Sequence, residues 1–430
     1  MKLKFVFVFM LCLLVLGGAA VLAQDEVVLN LLAMDQAGNT PDEIAEIIAR
    51  FEEANPGVRV EPQFVLYDGL YDTIVTSVSS NPPAFDIILV DDIWFSAFSD
   101  AGWVLDVSDR VTPEMREGIF PAAWDITTVN DVVYGLPFLL DQKYFYYNTQ
   151  LLADAGFDAP PRTWEEVVEM SRVLKANGAV EYPMIWSWAQ IEAVVPDFVT
   201  LLYGNGGQFF DENNQPAFNN EAGVATLQWM VDVYNEGLVN PASITSAEED
   251  VRNTFSAGNA AFATNWLYMY GLAEDPEESQ VAGQVGMSLM PVFESALAEG
   301  VESSTNNGSM GFAITAGSAH PDEAWNFLSF LTSPEIQTEF SVHQLPTYST
   351  AFVEPTLDTL LAANEISSVT VPMFAEQFPW SHVRPKVPYY PEASRILQLA
   401  IQEALTGART PQEALDSAAA QIVEIAQDYQ

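Results

Sequence analysis

Phe85-Asp86-Ile87-Ile88-Leu89-Val90-Asp91-Asp92-Ile93-Trp94 holds a short continuous apolar run that ends in two carboxylates and an indole. A run of that length bounded by polar residues reads as a buried strand. In open α/β sheets ligands bind outside the carboxyl ends of the strands, so the end of this one marks a place for a site. Carboxylates accept hydroxyl hydrogens, and an indole gives a flat face to the C–H surface of a polyhydroxylated ring. The competing reading is that Asp91 or Asp92 caps the following helix. The residues alone leave both readings open.

Outward from this strand, short apolar runs alternate with amphipathic helical patterns, the mark of parallel strands joined by crossover helices. The other strand candidates are Val27 to Ala33, Val58 to Val65, Phe145 to Tyr147, Ala260 to Ala263, Val285 to Met290 and Gly311 to Ile314. Helix starts are well marked. Thr40-Pro41-Asp42-Glu43 combines an N-cap, a proline at the first helical position and a capping-box glutamate, and Ile44, Ile47, Ile48 and Phe51 follow at helical spacing. The same device recurs at Thr163-Trp164-Glu165-Glu166 and Thr410-Pro411-Gln412-Glu413, and Ser318 is expected to open the helix carrying Trp325. The fold class is therefore α/β. No internal repeat and no low-complexity linker is present.

A second strand end with polar groups is Met34-Asp35-Gln36-Ala37-Gly38. Aromatic residues gather at Tyr182 to Gln190, with Trp186 and Trp188, and again at Ala263 to Tyr270, with Trp266. In an extended segment Trp186 and Trp188 face the same side. Aromatic residues lie more often in a core than against a ligand, but indoles beside Ser, Gln, Asn and Thr tilt toward a site, and Trp188 is counted among the binding residues. Two of the scarce bases, Lys143 and Arg384, sit in aromatic, turn-rich segments. They read as recognition groups or as buried ion pairs, with the ion pair at least as good a reading for Lys143.

Composition limits the partners. The 430 residues carry 59 acids against 15 bases, a net charge of −44, yet are 49% hydrophobic with 26 Phe, 15 Tyr and 10 Trp. So many apolar side chains call for a packed core and not an acidic disordered chain. No basic cluster exists to neutralise phosphates, which argues against nucleic acid, and the same field disfavours an anionic membrane surface. Residues 1–23 read as a secretory signal, with Lys2 and Lys4, an apolar stretch from Phe5 to Leu16, and the small-residue site Val21-Leu22-Ala23. Its removal leaves 13 bases against 59 acids, a charge of −46. The one cysteine, Cys12, lies within that stretch, so the exported chain has no thiol for a disulfide, a metal or catalysis. The expected location is the periplasm or cell surface.

Catalytic and cofactor motifs are missing: no GxxxxGK[ST], no GxGxxG, no HExxH, and only three histidines. Asn307-Gly308-Ser309-Met310-Gly311 falls one glycine short of a nucleophile elbow, and its strand would follow the serine. No cofactor and no metal is expected. A pair of acids for glycoside hydrolysis carries no signal here, because among 59 carboxyls some pair always has a suitable spacing.

Seven landmarks in order resemble a known family over essentially the whole exported chain. They are Phe51-Glu52-Glu53-Ala54-Asn55-Pro56-Gly57-Val58; Asp86 to Asp91 with Ala101-Gly102-Trp103; Tyr134-Gly135-Leu136-Pro137 leading to Phe145-Tyr146-Tyr147-Asn148; Gly206-Gly207 with Phe210-Asp211; Phe255 to Phe262; Gly311-Phe312-Ala313-Ile314 with His320-Pro321-Asp322-Glu323-Ala324-Trp325; and Leu405-Thr406-Gly407 to Leu415. The family is the extracellular solute-binding protein family 1 of carbohydrate ABC importers, which includes maltose- and trehalose-binding proteins.

The resemblance implies a two-lobed periplasmic-binding-protein fold, type II and maltose-binding-protein-like, with three hinge crossings. These are expected near Tyr134 to Phe138, Pro291 to Gly308, and Leu345 to Thr350. The expected N-terminal lobe is 24–135 plus 308–347, and the C-terminal lobe 136–300 plus 348–430. By motif position the family's ligand contacts fall on Asp35, Gln36, Asp91, Asp92, Asp141, Trp266 and the Arg384-Pro385 element. Relatives often carry Gly-Gly-Trp where this chain has Gly308-Ser309-Met310, so Gly308 and Met310 are expected at the site and a small sugar or polyol gains over the usual oligosaccharide. Acids around the cleft favour a neutral solute. The expected partners are that solute and the permease subunits of an ABC importer, with the binding protein itself a monomer. The alternatives are a secreted glycoside hydrolase or lyase using two carboxylates, and a surface adhesion protein without a cleft.

Overall fold

The computed structural model describes residues 26–340, 343–353 and 365–429, with the backbone alone at 365–367. The expected signal at 1–23 lies outside these residues. Two sheets organise the chain. The first has five strands in the order Val58–Val65, Val27–Met34, Ile87–Asp91, Met310–Ile314 and Leu136–Leu139. Its first three strands are parallel to one another, with Val27 opposite Val58 and Leu31 opposite Ile87. Met310–Ile314 runs antiparallel to both of its neighbours, with Met310 opposite Asp91. The second sheet has four strands in the order Val285–Ser288, Tyr144–Asn148, Phe262–Asn265 and Met184–Ile185.

The capping signals form as their chemistry dictates. Thr40, Thr163 and Thr410 each accept the N–H of a residue three positions on, and Glu43, Glu166 and Glu413 each return a bond to the cap. Helix Pro41–Ala54 then buries Ile44, Ile47, Ile48 and Phe51, the stripe that its spacing calls for. One cap falls elsewhere. Helix Pro321–Leu331 is capped at His320, and the Ser318 hydroxyl accepts the His320 N–H while donating to Asp86 Oδ1. Ser318 closes the turn before the helix and does not start it.

Leu136–Leu139 belongs to the first sheet, so that sheet reaches past the expected boundary at 135, and the first crossing follows Leu139. Pro137 has no N–H to donate, and a sheet tolerates this at an edge strand such as this one. The chain returns to the first sheet between Val285–Ser288 and Met310–Ile314. The third crossing does not fall at Leu345 to Thr350, because there the Thr347 carbonyl accepts the Phe120 N–H, Tyr348 pairs with Ile119 and the Ser349 hydroxyl donates to the Gly118 carbonyl, all first-lobe partners. The next described element, helix Glu365–Gln377, packs on Tyr268–Glu274 and Val285–Ser288 of the second lobe. Helix Tyr390–Leu405 there packs on Val194–Tyr203, Glu221–Asn235 and Pro411–Ala426. Thr305–Asn306, in the second crossing, pairs in parallel with Ser381–His382. The crossings thus carry hydrogen-bonded structure of their own.

Candidate interlobe binding cleft

A cavity of about 280 Å³ opens between the two sheets and is lined from both sides. On the first-lobe side it meets the carboxyl ends of the parallel strands. Met34 ends one strand, with Asp35 and Gln36 just beyond it; Leu66, Tyr67 and Asp68 follow the second strand, and Asp91 ends the third. Met310 lies across from Asp91 in register and completes this wall. The strand-end geometry gathers side chains that are far apart in sequence.

The opposite wall centres on Trp266, which directly follows strand Phe262–Asn265. Its position is over-determined. The backbone N–H donates to Asn265 Oδ1 at 2.8 Å, the carbonyl accepts from the Tyr146 hydroxyl at 2.8 Å, and Nε1 donates to Glu248 Oε1 at 3.4 Å. The Lys143 ammonium stands 5.3 Å from the indole centroid. Lys143 is itself sealed in the core, bonded to Asp197 Oδ1 at 2.6 Å and to the Ser187 hydroxyl at 2.9 Å. It is a buried ion pair supporting the wall and does not line the cavity.

Asp141 lies just past the first crossing and is 7% exposed. Its Oδ1 accepts the Gln142 N–H at 2.7 Å and its Oδ2 the Leu267 N–H at 3.2 Å. Burial still pushes its pKa up to about 7 against these backbone bonds. Among the described residues no base pairs with it, and each oxygen keeps acceptor capacity for a solute hydroxyl. Burial likewise raises the pKa of Glu248, with Lys143 opposing. Such a wall of desolvated carboxylates beside an indole suits hydroxyl donors on a ring or chain with an apolar face.

Arg384 closes one end of the cavity. It is 2% exposed, and Nη2 donates to Asp91 Oδ1 at 3.1 Å and Asp92 Oδ1 at 3.3 Å, while Nη1 donates to Glu192 Oε1 at 2.8 Å. Asp91 Oδ2 also accepts the Tyr67 hydroxyl at 2.7 Å. Glu192 takes the Tyr390 hydroxyl at 2.7 Å and the Ser394 hydroxyl besides. Burial raises the Asp92 pKa to about 7, with the guanidinium pulling the other way.

Of the residues expected at a site, Asp35, Gln36, Asp91, Asp141, Trp266, Gly308, Met310 and Arg384 line this one cavity. Two do not. Asp92, 2% exposed, lies in the turn just past the strand end and joins Asp91 as a counter-ion of the Arg384 guanidinium. Trp188 is fully buried and stacked on Trp186 at 5.2 Å, and both rings face the same way into the second-lobe core. Trp94 is also a core residue, and it stacks under Tyr67 at 5.5 Å. The sequence reading missed Tyr67, Glu192, Glu248 and Tyr268, all of them on the lining. The strand-end rule applied to Val58–Val65 finds Tyr67; Glu192 carries no local signal. Among the described residues no group of three or more His, Cys, Asp or Glu is placed to hold a metal ion.

Known proteins share this architecture. A maltose-bound binding protein of T. maritima superposes with a TM-score of 0.84 at 26% identity, covering 93% of this chain and 100% of that one. A probable ABC transporter-binding protein of Deinococcus radiodurans is 27% identical over 352 residues, 79% of this chain and 80% of its own length. A mannitol-binding protein of Pseudomonas aeruginosa is 23% identical over 293 residues, 66% of this chain and 64% of its own length. The two-lobed fold is thus maltose-binding-protein-like, and these relatives are binding proteins, which leaves the hydrolase or lyase alternative without support. With the family model matched over residues 37–338, the chain belongs to the bacterial extracellular solute-binding proteins and acts in ABC transport as a solute-binding protein, not an enzyme.

Proposed function

We propose that the cleft captures a neutral, hydroxyl-rich solute the size of a monosaccharide or short polyol and that the closed protein hands it to the permease of an ABC importer. The observation that carries this reading is the cavity itself, in which the Trp266 indole stands beside the buried, base-free carboxyl of Asp141, whose Oδ2 accepts the Leu267 N–H. Its volume of about 280 Å³ falls just short of the roughly 300 to 1,000 Å³ of ligand pockets, which fits a small solute. Maltose in the T. maritima protein and mannitol in the name of the P. aeruginosa relative belong to the same chemical class. An anionic solute would meet Asp35, Asp68, Asp141, Glu248 and Glu249 around one guanidinium, and is disfavoured.

Closing would occur by rotation of the lobes about the three crossings, which excludes water and strengthens every hydrogen bond to the solute. In this reading the first lobe comprises residues 26–139 with 308–340 and 343–353, and the second lobe residues 140–307 with 365–429. Residues 1–23 act as a cleaved export signal, and the protein works as a monomer at the periplasm or cell surface. No helix among the described residues is long and apolar enough to cross a membrane, so movement of solute falls to separate permease subunits. The test is calorimetric titration with mannitol, maltose and other sugars and polyols, with product analysis of the same mixtures. One-to-one binding without product supports the reading; turnover, or binding of anionic solutes in preference, overturns it.

A further inference from the structure

Of the thirteen bases beyond residue 23, three fall within the short stretch 384–395, namely Arg384, Lys386 and Arg395. All three reach from the second lobe to the first. Arg384 pairs with Asp91 and Asp92. The Lys386 ammonium donates to the carbonyl of Asp125, on helix Pro121–Thr127, which packs on first-sheet strands. Arg395 lies 3.5 Å from Asp72 and 5.5 Å from the ring of Tyr71, on helix Tyr67–Val78. The stretch is anchored at home as well, since Glu192 holds Arg384 while Tyr390 and Ser394 of helix Tyr390–Leu405 hold Glu192.

The lobes it joins are both strongly acidic. Residues 26–139 contain only four bases, Arg50, Arg59, Arg110 and Arg116. Two bodies of like charge repel, so a ligand-free cleft in this protein carries an electrostatic bias toward opening. A row of cations across the seam opposes that bias. The members differ in weight. The exposed Arg395–Asp72 pair is screened by solvent and contributes little. Arg384, buried and shared among three carboxylates, cannot leave Asp91 and Asp92 without stranding them in a desolvated site.

We infer that Arg384, Lys386 and Arg395 form an interlobe clasp that holds the two acidic lobes together before any solute arrives, with Arg384 as its main element. The inference rests on the lobes moving about the crossings, as proposed above, but on no particular solute. Its consequence for binding is twofold. The clasp lowers the cost of closing, and it occupies one acceptor face of Asp91, leaving the solute the part of the cavity toward Asp141 and Trp266.

Small-angle X-ray scattering of the purified, ligand-stripped protein tests it, with Arg384→Gln and the surface double variant Lys386→Gln/Arg395→Gln alongside. The double variant keeps the test in force where Arg384→Gln fails to fold. The clasp predicts a compact parent, a larger radius of gyration for Arg384→Gln, and a smaller increase for the double variant. Equal radii that are all expanded overturn the clasp and leave the hinge reading standing. Equal radii that are all compact overturn both.

Discussion

Gly308 in the second crossing lies flat against the benzo ring of Trp266, so close that a Cβ at 308 would stand 2.2 Å from Cη2 and 2.4 Å from Cζ3. The glycine is required by space, not by its backbone angles. It lets the crossing chain back the indole that the cleft presents, while its own N–H donates to the Asp141 carbonyl at 3.0 Å. Crossing, carboxylate and ring are thereby fixed with respect to one another, a pre-organised surface that loses little freedom when a solute arrives.

Gly308→Ala must displace the ring. Overpacking of this kind costs about 1–3 kcal/mol, and here the displaced atoms belong to the binding surface. We expect solute affinity to fall about tenfold or more while far-UV circular dichroism stays unchanged. Retained affinity in calorimetry would show that the ring position is immaterial.

Lys143 and Asp197 predict a stability effect separable from binding. Lys143→Met leaves the Asp197 carboxylate buried without its cation, although Ser187 and Thr264 still donate to it. Removing one partner of such a pair costs about 3–5 kcal/mol, whereas replacing both by apolar residues is often near neutral. Denaturant unfolding should show the single variant strongly destabilised and Lys143→Met/Asp197→Leu recovering most of the loss. Additive losses in the double variant would contradict the pairing.

Asp141 and Asp92 give the stability a pH dependence with a definite sign. Both folded-state pKa values are raised to about 7, against about 3.9 in an unfolded chain. Between these values the native protein binds more protons than the unfolded chain, so this contribution to stability declines as pH rises from about 4 to about 7 and is flat above. Each pKa unit corresponds to about 1.4 kcal/mol. Thermal unfolding from pH 5 to pH 8 should show a shallower decline in Asp141→Asn than in the parent. Solute hydroxyls donating to Asp141 favour its charged form, so saturation with solute should flatten the parent's profile too.

The sequence revealed what is locally encoded. Capping boxes at Thr40, Thr163 and Thr410 are contained within four residues each, and they form as read. Strand ends were legible for the same reason, and they brought Asp35, Gln36 and Asp91 to the cleft before any geometry was known. Leu136–Leu139 was hidden because Pro137 argues against a strand unless the strand is known to lie at an edge. Trp188 and Trp266 have similar polar neighbours, and only packing separates them. Trp186 and the buried second-lobe core seal the former, while Gly308 leaves the latter room at the cleft. Glu192 was invisible, since its meaning depends on Arg384, Tyr390 and Ser394, all roughly two hundred residues away.

The central claim is that a hydroxyl-rich solute binds against Trp266 and Asp141 between the lobes. Calorimetric titration of the parent and Trp266→Ala with the same panel of sugars and polyols tests it most directly. The account predicts one-to-one binding of at least one neutral member by the parent and a loss of more than tenfold in affinity in Trp266→Ala. Binding that is unchanged by the substitution, or no neutral sugar or polyol bound at all, would contradict it.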